Sequence, residues 1–171
     1  LWNYTTGANG ATVAISADGE YIAAGSSWPD EKVYLFDKDS STPLWNFTTG
    51  GAVDRVAISA DGEYIAAGSR DGKVYLFDKD SSSPLWSYST GGDVRSVAIS
   101  ADGEYVVAGS YDKVYIFDKD SSTPLWNYTM AGANVNSVVL SADGEYIVAG
   151  GGGNNNGKVC LFDKNSSTPL W

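Results

Sequence analysis

The residues with the clearest chemical potential are pairs of aspartates separated by a single lysine. The run Asp-Lys-Asp-Ser-Ser occurs three times, and a fourth copy carries asparagine in place of the second aspartate. The aspartates are Asp37 and Asp39, Asp78 and Asp80, and Asp118 and Asp120. An Asp-x-Asp-x-Ser run offers the oxygen ligands that Ca²⁺ takes, but it lacks the turn glycine and the final glutamate of a calcium loop. We therefore expect solvated acidic turns here, with calcium as the alternative and no other cofactor.

The composition argues against several function classes. The sequence has no histidine, so the commonest general base and metal ligand is missing. The formal net charge of −10 is opposite to the basic footprint that nucleic-acid binding requires. No apolar run approaches the roughly 20 residues of a membrane span. We expect no enzymatic activity, no nucleic-acid partner and no membrane insertion, and we assign no catalytic residue.

One repeated unit explains why the acidic runs recur. The string LWNYTTG…VAISADGEYIAAGS…KVYLFDKDSSTP occupies residues 1–43, 44–84, 85–124 and 125–169, and Leu170-Trp171 begins a fifth copy. A period near 40–45 residues built from short strands is typical of a propeller blade. We therefore predict a single β-propeller domain over residues 1–171.

Each copy contains four segments that favour β-strands. In the second copy they are residues 56–59, 63–69, 73–78 and 84–89, rich in valine, isoleucine and aromatic residues. Asp61-Gly62 is a typical hairpin turn between the first two segments. Both faces of the third segment are apolar, whereas a sheet with one solvated face would alternate polar and apolar residues. The pattern predicts an all-β propeller of four four-stranded antiparallel blades, packed face to face.

Two propeller families share motifs with this unit. VAISADGEYIAAGSRDGKVYLFD, residues 56–78, resembles a WD-repeat blade, but Phe77-Asp78 replaces the Trp-Asp pair and the Gly-His pair is absent. The histidine-dependent hydrogen-bond network of that family therefore cannot form. FDKDSSTPLWNFTTG, residues 36–50, resembles the tryptophan-docking motif of pyrroloquinoline-quinone-type propellers. Asp37 and Trp45 have the spacing of that motif, although Ser41 stands where those repeats usually carry glycine. The quinone enzymes imply a cofactor, calcium and long catalytic inserts, and the sequence contains no such inserts.

The resemblance to WD repeats implies that conserved and variable turns lie on opposite faces of the propeller. The turns SADGE and DKDSSTP, which are nearly identical in all copies, fall on one face, the bottom. They hold 15 of the 21 carboxylates and four lysines, which indicates a solvated acidic ring. The opposite, top face receives the loops that differ between copies: 27–31, 70–72, 111–112 and 151–157, and the inter-blade loops 8–12, 51–55, 91–96 and 130–137.

The variable top loops contain the best candidates for recognition. Tryptophan, tyrosine and arginine are typical interface anchors. The candidates of these types are Trp28, Arg55, Arg70, Arg95 and Tyr111. We expect a non-enzymatic scaffold that binds a protein or a surface through these loops. Two alternatives remain: a lectin-like propeller that binds glycans between blades through the Trp and Tyr of each copy, and an amplified or engineered repeat without an evolved ligand.

The surface composition bears weakly on location. Asn3, Asn46, Asn127 and Asn165 begin glycosylation sequons, which favours an extracellular setting, although repetition of one unit copies a sequon automatically.

The chain raises a question of ring closure, because an open arc of four blades exposes two apolar faces and a bare strand edge. Three solutions are open: a four-bladed ring, a longer chain, or two chains paired about a two-fold axis into an eight-bladed ring. We favour self-association into the eight-bladed ring. Residues 1–6 would then supply the outer strand to the partner's last blade, against residues 158–163. Leu170-Trp171 competes with Leu1-Trp2 for one docking position.

Overall fold

The structure, a computed structural model, describes residues 1–153 and 157–171 and contains fifteen β-strands within these ranges. In chain order the strands are β1 (Ala11–Ile15), β2 (Tyr21–Ser26), β3 (Lys32–Asp37), β4 (Trp45–Thr48), β5 (Val53–Ile58), β6 (Tyr64–Ser69), β7 (Lys73–Asp78), β8 (Trp86–Ser89), β9 (Val94–Ile99), β10 (Tyr105–Ser110), β11 (Lys113–Asp118), β12 (Trp126–Thr129), β13 (Asn134–Leu140), β14 (Tyr146–Gly152) and β15 (Lys158–Asp163). The four segments predicted in the second copy match β5 to β8. Residues 154–156, part of the loop 151–157 singled out above, lie outside the described residues.

The strands form four antiparallel meanders, which we call blades 1 to 4. Blades 1, 2 and 3 contain four strands each, from β1–β4, β5–β8 and β9–β12, and blade 4 contains β13–β15. The prediction of an all-β propeller is confirmed. Blade 4 has three strands among the described residues, because its outer strand is supplied by the start of the next copy, in agreement with the expectation that another segment completes the last blade. Leu170 begins that strand, and its main-chain N–H donates to the carbonyl of Leu161 at 2.7 Å.

The core lies between blades rather than within one. Val33 and Leu35 of blade 1 pack against Val53 and Val56 of blade 2, and equivalent clusters fill the two later junctions. Sheet faces approach closely because β2, β6 and β10 carry small residues. A side chain at Gly25, for example, would overlap Val53 of the next blade. This packing accounts for the apolar character of both strand faces noted in the sequence.

The end blades do not pack on each other. Val13 of blade 1 and Val159 of blade 4 are both mostly exposed, whereas their equivalents at the internal junctions are buried. Within the described residues, blades 1 and 4 therefore do not close on each other, and the mode of ring closure stays an untested prediction. Within the described residues, no helix is long and apolar enough to cross a membrane.

Candidate recognition face

The top face is formed by loops that contact the next blade through hydrogen bonds. The inter-blade loop after β4 contacts the β6–β7 loop, where the N–H of Gly50 donates to Oδ2 of Asp71 at 3.0 Å. The loop after β8 contacts the end of β10, where the hydroxyls of Thr90 and Ser110 lie 2.7 Å apart. The two kinds of variable loop therefore lie on one face, as predicted. The backbone of this face is held by repeated hydrogen bonds, so its exposed side chains project from a fixed frame.

A hydrogen-bond network without histidine supports the top face of blades 1 and 2. In blade 2, Asp71 accepts hydrogen bonds from the Tyr75 phenol and the Lys73 main-chain N–H. In blade 1, Asp30 accepts from the hydroxyls of Ser26 and Tyr34. Burial, and then the neighbouring aspartate, raises the pKa of both tyrosines. An Asp–Tyr pair therefore supports the top face in blades 1 and 2.

This network changes along the chain. In blade 3 the Tyr115 phenol donates to the main-chain carbonyl of Thr90 at 3.1 Å. In blade 4 the equivalent position is the buried thiol of Cys160. The support beneath the variable loops therefore differs from blade to blade, together with the loops themselves.

Two of the five predicted anchors are exposed aromatic side chains. Trp28, in the β2–β3 loop of blade 1, is 66% exposed, and Tyr111, in the β10–β11 loop of blade 3, is 64% exposed. Blade 2 lies between them, so the fold does not bring them into one cluster. The Cβ of Tyr111 lies close to the position that a side chain at Gly92 would occupy, at 3.2 Å. Gly92 therefore leaves room for the Tyr111 side chain, whose ring is mostly exposed.

The three predicted arginines lie near the tops of blades 2 and 3. Nε of Arg70 donates to both carboxylate oxygens of Asp54, at 2.9 and 3.0 Å, and this carboxylate raises the pKa of the guanidinium. Arg95 lies 3.7 Å from Asp93. The placement of Arg55 and Arg95 in loops was wrong, because both lie within the inner strands β5 and β9. These strands begin earlier than predicted since each has a β-bulge near its start, which hides the alternation there.

The described residues form a cleft on the top face at each junction between blades. The largest, about 380 Å³, lies between blades 3 and 4 and is lined by Tyr111, Asp112, Asn134 and neighbouring glycine and alanine residues. The second, about 310 Å³, is lined by Arg70 and Asp93 among others, and the third, about 230 Å³, by Thr12 and Asp54. Asp112 and Asn134 were not among the predicted site residues. The sequence did contain a signal that could have pointed to Asn134. The inter-blade segment that holds this residue is one residue longer in the fourth copy than in the second and third.

The repeated aromatic residues are engaged in the packing of the blades. The indole Nε1 of Trp45, Trp86 and Trp126 each donates at 2.7 Å to a lysine carbonyl of the following blade. Tyr34, Tyr75 and Tyr115 are buried. These side chains hold the junctions together, and glycan binding through the Trp and Tyr of each copy stays an untested prediction.

The aspartate runs on the bottom face make local turn contacts. Asp37, Asp78 and Asp118 each accept a hydrogen bond from the N–H two residues later, at 2.8 to 2.9 Å. Asp39, Asp80 and Asp120 each form an ion pair with the preceding lysine, at 2.7 to 3.1 Å. In the described part of the chain, no three acidic, cysteine or histidine side chains are grouped so as to hold a metal ion. Calcium binding stays an untested prediction.

Comparison with known proteins places this architecture in a family. A family model of PQQ-like repeats, described as outer membrane protein assembly factor BamB, matches residues 29–171. The chain therefore belongs to this family of PQQ-like β-propeller repeat proteins, in agreement with the tryptophan-docking motif. No curated protein sequence matches the chain.

Solved structures agree on the fold. A chain of hydrazine synthase from Kuenenia stuttgartiensis superimposes with a TM-score of 0.80 at 17% identity, covering 94% of this chain and 47% of that one. The present chain thus spans about half the length of that relative. Because 1662 solved chains match in total, the architecture alone does not distinguish one function from another.

Proposed function

We propose that the chain is a non-enzymatic scaffold that binds a protein partner through its top face. The observation that carries this proposal is the position of the differences between copies. The bottom turns repeat almost without change, whereas the loops of the top face differ in length and in side chain. A face used only for packing or solubility has no need of such differences.

The side chains on the top face suit a protein partner. Trp28 and Tyr111 offer large apolar area with few rotatable bonds, so they lose little conformational entropy on binding. The ion pair between Arg70 and Asp54 lies in blade 2, between the blades that carry Trp28 and Tyr111, and would add a polar contact between the two rings. An interface that uses both rings would span the tops of three blades, which suits a protein surface better than a small molecule.

A random peptide library displayed on phage provides the test. Panning on the wild-type chain is expected to enrich peptides whose binding is lost in the Trp28→Ala/Tyr111→Ala double variant. The matched control is Trp171→Ala, because Trp171 is as exposed as Trp28 but lies outside the top loops. Enriched peptides that bind the double variant as well as the wild type would contradict the proposal.

A second candidate function, glycan binding, is favoured by the cleft between blades 3 and 4. One aromatic ring, one carboxylate and one amide, from Tyr111, Asp112 and Asn134, line the same cavity. Such a combination of an apolar surface with a few polar groups is typical of small-ligand sites. A glycan array with and without calcium distinguishes the two functions. A signal lost in both Tyr111→Ala and Asn134→Ala would favour the glycan, and a silent array would favour the protein scaffold.

A further inference from the structure

The first and last blades each present an apolar sheet face that the described residues cover only in part. On blade 1, residues 1–6 cover Phe36 and leave Val13 and Ile15 exposed. We call the face of blade 1 the entry face, which includes Val13, Ile15 and Phe36. We call the face of blade 4 the exit face, which includes Val159, Leu161 and Tyr146. Val13 is 68% exposed, whereas its equivalent Val56 in blade 2 is 3% exposed. Val159 is 56% exposed, whereas its equivalent Val33 in blade 1 is fully buried.

These two faces are the two halves of an interface that the chain already forms three times. At every internal junction an exit face equivalent to that of blade 4 packs on an entry face equivalent to that of blade 1. The uncovered faces thus carry the same residue types, at the same strand positions, as faces that demonstrably fit. An exposed apolar surface of this kind marks an association site.

Two series of contacts between successive blades also support this interface. The rings of Tyr21, Tyr64 and Tyr105 pack over Gly62, Gly103 and Gly144 of the next blade. Two members of this series have no such partner among the described residues. Tyr146 is exposed on the exit face, and a Cβ at Gly19, beside the entry face, would have only Ile15 within 4 Å. A second series runs from the Ala17 N–H to the Ala60 carbonyl and from the Ala60 N–H to the Ala101 carbonyl, both at 2.9 Å. A fitted second copy would continue both series.

The amino-terminal segment shows how the strand edge would be completed. Trp2 stacks on Phe36 at 5.6 Å and donates its indole N–H to the Lys38 carbonyl, so residues 1–6 occupy the position of an outer strand on the entry face. Their main chain lies in none of the described sheets, whereas blade 4 lacks most of its outer strand. Trp171 is the equivalent of Trp2 at the other end of the chain, and it would bind the same Lys38 carbonyl of a second copy. Its side chain is 67% exposed.

We propose that two copies of this chain associate head to tail, entry face on exit face at both ends, into a closed ring of eight blades. In this ring residues 1–6 of each copy form the outer strand of the partner's blade 4, and Leu170-Trp171 gives way to them. By the register of β3 with β4, Tyr4 stands opposite Val159 of the partner subunit, as Phe47 stands opposite Val33. This association is independent of any ligand on the top face.

The mass in solution is the first test. Size-exclusion chromatography with light scattering is expected to give a single species at twice the 18.1 kDa of one chain, unchanged on dilution through the micromolar range. A stable monomer would overturn the proposal. A mass that keeps rising with concentration would also overturn it, because an open head-to-tail chain grows without closing.

Charged substitutions on each face provide the second test. Val13→Glu and Val159→Glu are each expected to halve the mass while circular dichroism retains the β-sheet spectrum. The matched control is Trp28→Glu, which places the same charge at an equally exposed apolar position outside both faces. If Val13→Glu and Val159→Glu keep the wild-type mass, the interface is elsewhere.

A designed disulfide tests the register and the fate of Leu170-Trp171. Residues directly opposite in antiparallel strands have Cβ atoms about 4.5–5.5 Å apart, near the range that a disulfide spans. In a Cys160→Ser background, the Tyr4→Cys/Val159→Cys chain is expected to form a covalent dimer, and either single cysteine is expected to stay monomeric on a denaturing gel. Deletion of 170–171 should preserve the dimer and deletion of 1–6 should abolish it. The reverse pattern of deletions would overturn the strand assignment.

Discussion

The indole N–H of Trp2 donates a hydrogen bond to the main-chain carbonyl of Lys38 at 2.6 Å. The same bond joins Trp45 to Lys79 and recurs at each later junction. The bottom-face turn of each blade therefore receives the tryptophan of the strand that precedes it. This bond explains why the Leu-Trp pair recurs in every copy, because the tryptophan joins its outer strand to the blade that follows.

Loss of this docking bond should destabilise the chain only where a partner carbonyl is present. Trp45→Phe removes the donor to Lys79 and leaves a partly buried carbonyl without its partner, at an expected cost of about 1–2 kcal/mol in the free energy of unfolding. Trp171→Phe is the control, because the Trp171 ring is mostly exposed, and its effect should be within about 0.5 kcal/mol. Urea unfolding followed by circular dichroism measures both. Equal losses in the two variants would contradict the docking role.

The repeated positions carried most of the information that could be read from the sequence. A strand, a turn or a docking tryptophan that recurs at a fixed spacing is observed several times in one chain, so its role could be predicted before the structure. Asp61-Gly62 and Trp45 are examples, and both behave as predicted. The repeat also predicted that the last blade would need its outer strand from another segment, because each outer strand opens the following copy.

Features that occur once could be predicted less well. Arg55 and Arg95 were assigned to loops because the bulges in β5 and β9 interrupt the alternation that marks a strand. The Asp71–Tyr75 pair was missed because its members are separated by a turn and look like unrelated surface and core residues. The cleft at Tyr111 depends on an inserted residue in another blade, and only folding brings the two loops together.

A second prediction separates the backbone strain of a glycine from its packing. Gly62 and Gly132 both have φ of +76°, so alanine at either position adopts the left-handed region at a cost of about 1–2 kcal/mol. A Cβ at Gly62 would lie 2.6 Å from the Tyr21 ring, whereas nothing lies within 4 Å at Gly132. Gly62→Ala should therefore destabilise the chain by at least about 1 kcal/mol more than Gly132→Ala. Chemical denaturation of both variants measures the difference, and equal values would show that the junction accommodates the methyl group.

A third prediction concerns the acidic limb of the stability profile. The Ser100 hydroxyl donates to Asp102 at 2.6 Å, and this bond lowers the pKa of the carboxyl. Burial has a smaller effect in the opposite direction. A lowered pKa contributes stability that is complete above the unfolded value of about 3.9 and is lost as the pH falls through the native value. Ser100→Ala removes this bond and the acceptor of the Tyr105 N–H. The expected loss is about 1–2 kcal/mol at about pH 6, and it should become smaller as the pH falls below about 3.9, towards the contribution of the Tyr105 N–H alone.

The control for the acidic limb is another serine in a turn. Ser121 accepts the Thr123 N–H at 3.1 Å, a bond between neutral groups. Ser121→Ala should therefore cost the same amount at about pH 6 and about pH 3 in urea titrations. A pH-dependent loss in Ser121→Ala, or a pH-independent loss in Ser100→Ala, would contradict the assignment to Asp102.

The last prediction concerns the alkaline limb, where the buried tyrosines dominate. Burial first, and then the hydrogen bond to Asp71, raises the pKa of Tyr75. The folded chain therefore keeps this proton at pH values where the unfolded chain, with a tyrosine pKa of about 10, has lost it. Because the native state binds more protons there, the free energy of unfolding should fall as the pH rises above about 10. Tyr75→Phe should make that decline shallower in urea titrations between about pH 8 and about pH 11.

Asp71→Asn tests which cause of this alkaline dependence matters. Asparagine keeps an acceptor for the phenol but removes the negative charge, so the contributions of burial and of a neutral hydrogen bond should remain and the decline should lie between those of the wild type and Tyr75→Phe. The bottom-face lysines add a decline of the same sign, because the hydrogen bond that Lys79 donates to Asp80, followed by its bond to Glu63, raises the pKa of the Lys79 ammonium. A residual slope in Tyr75→Phe is therefore expected. A slope in Tyr75→Phe equal to that of the wild type would show that the phenol is not held as its contacts indicate.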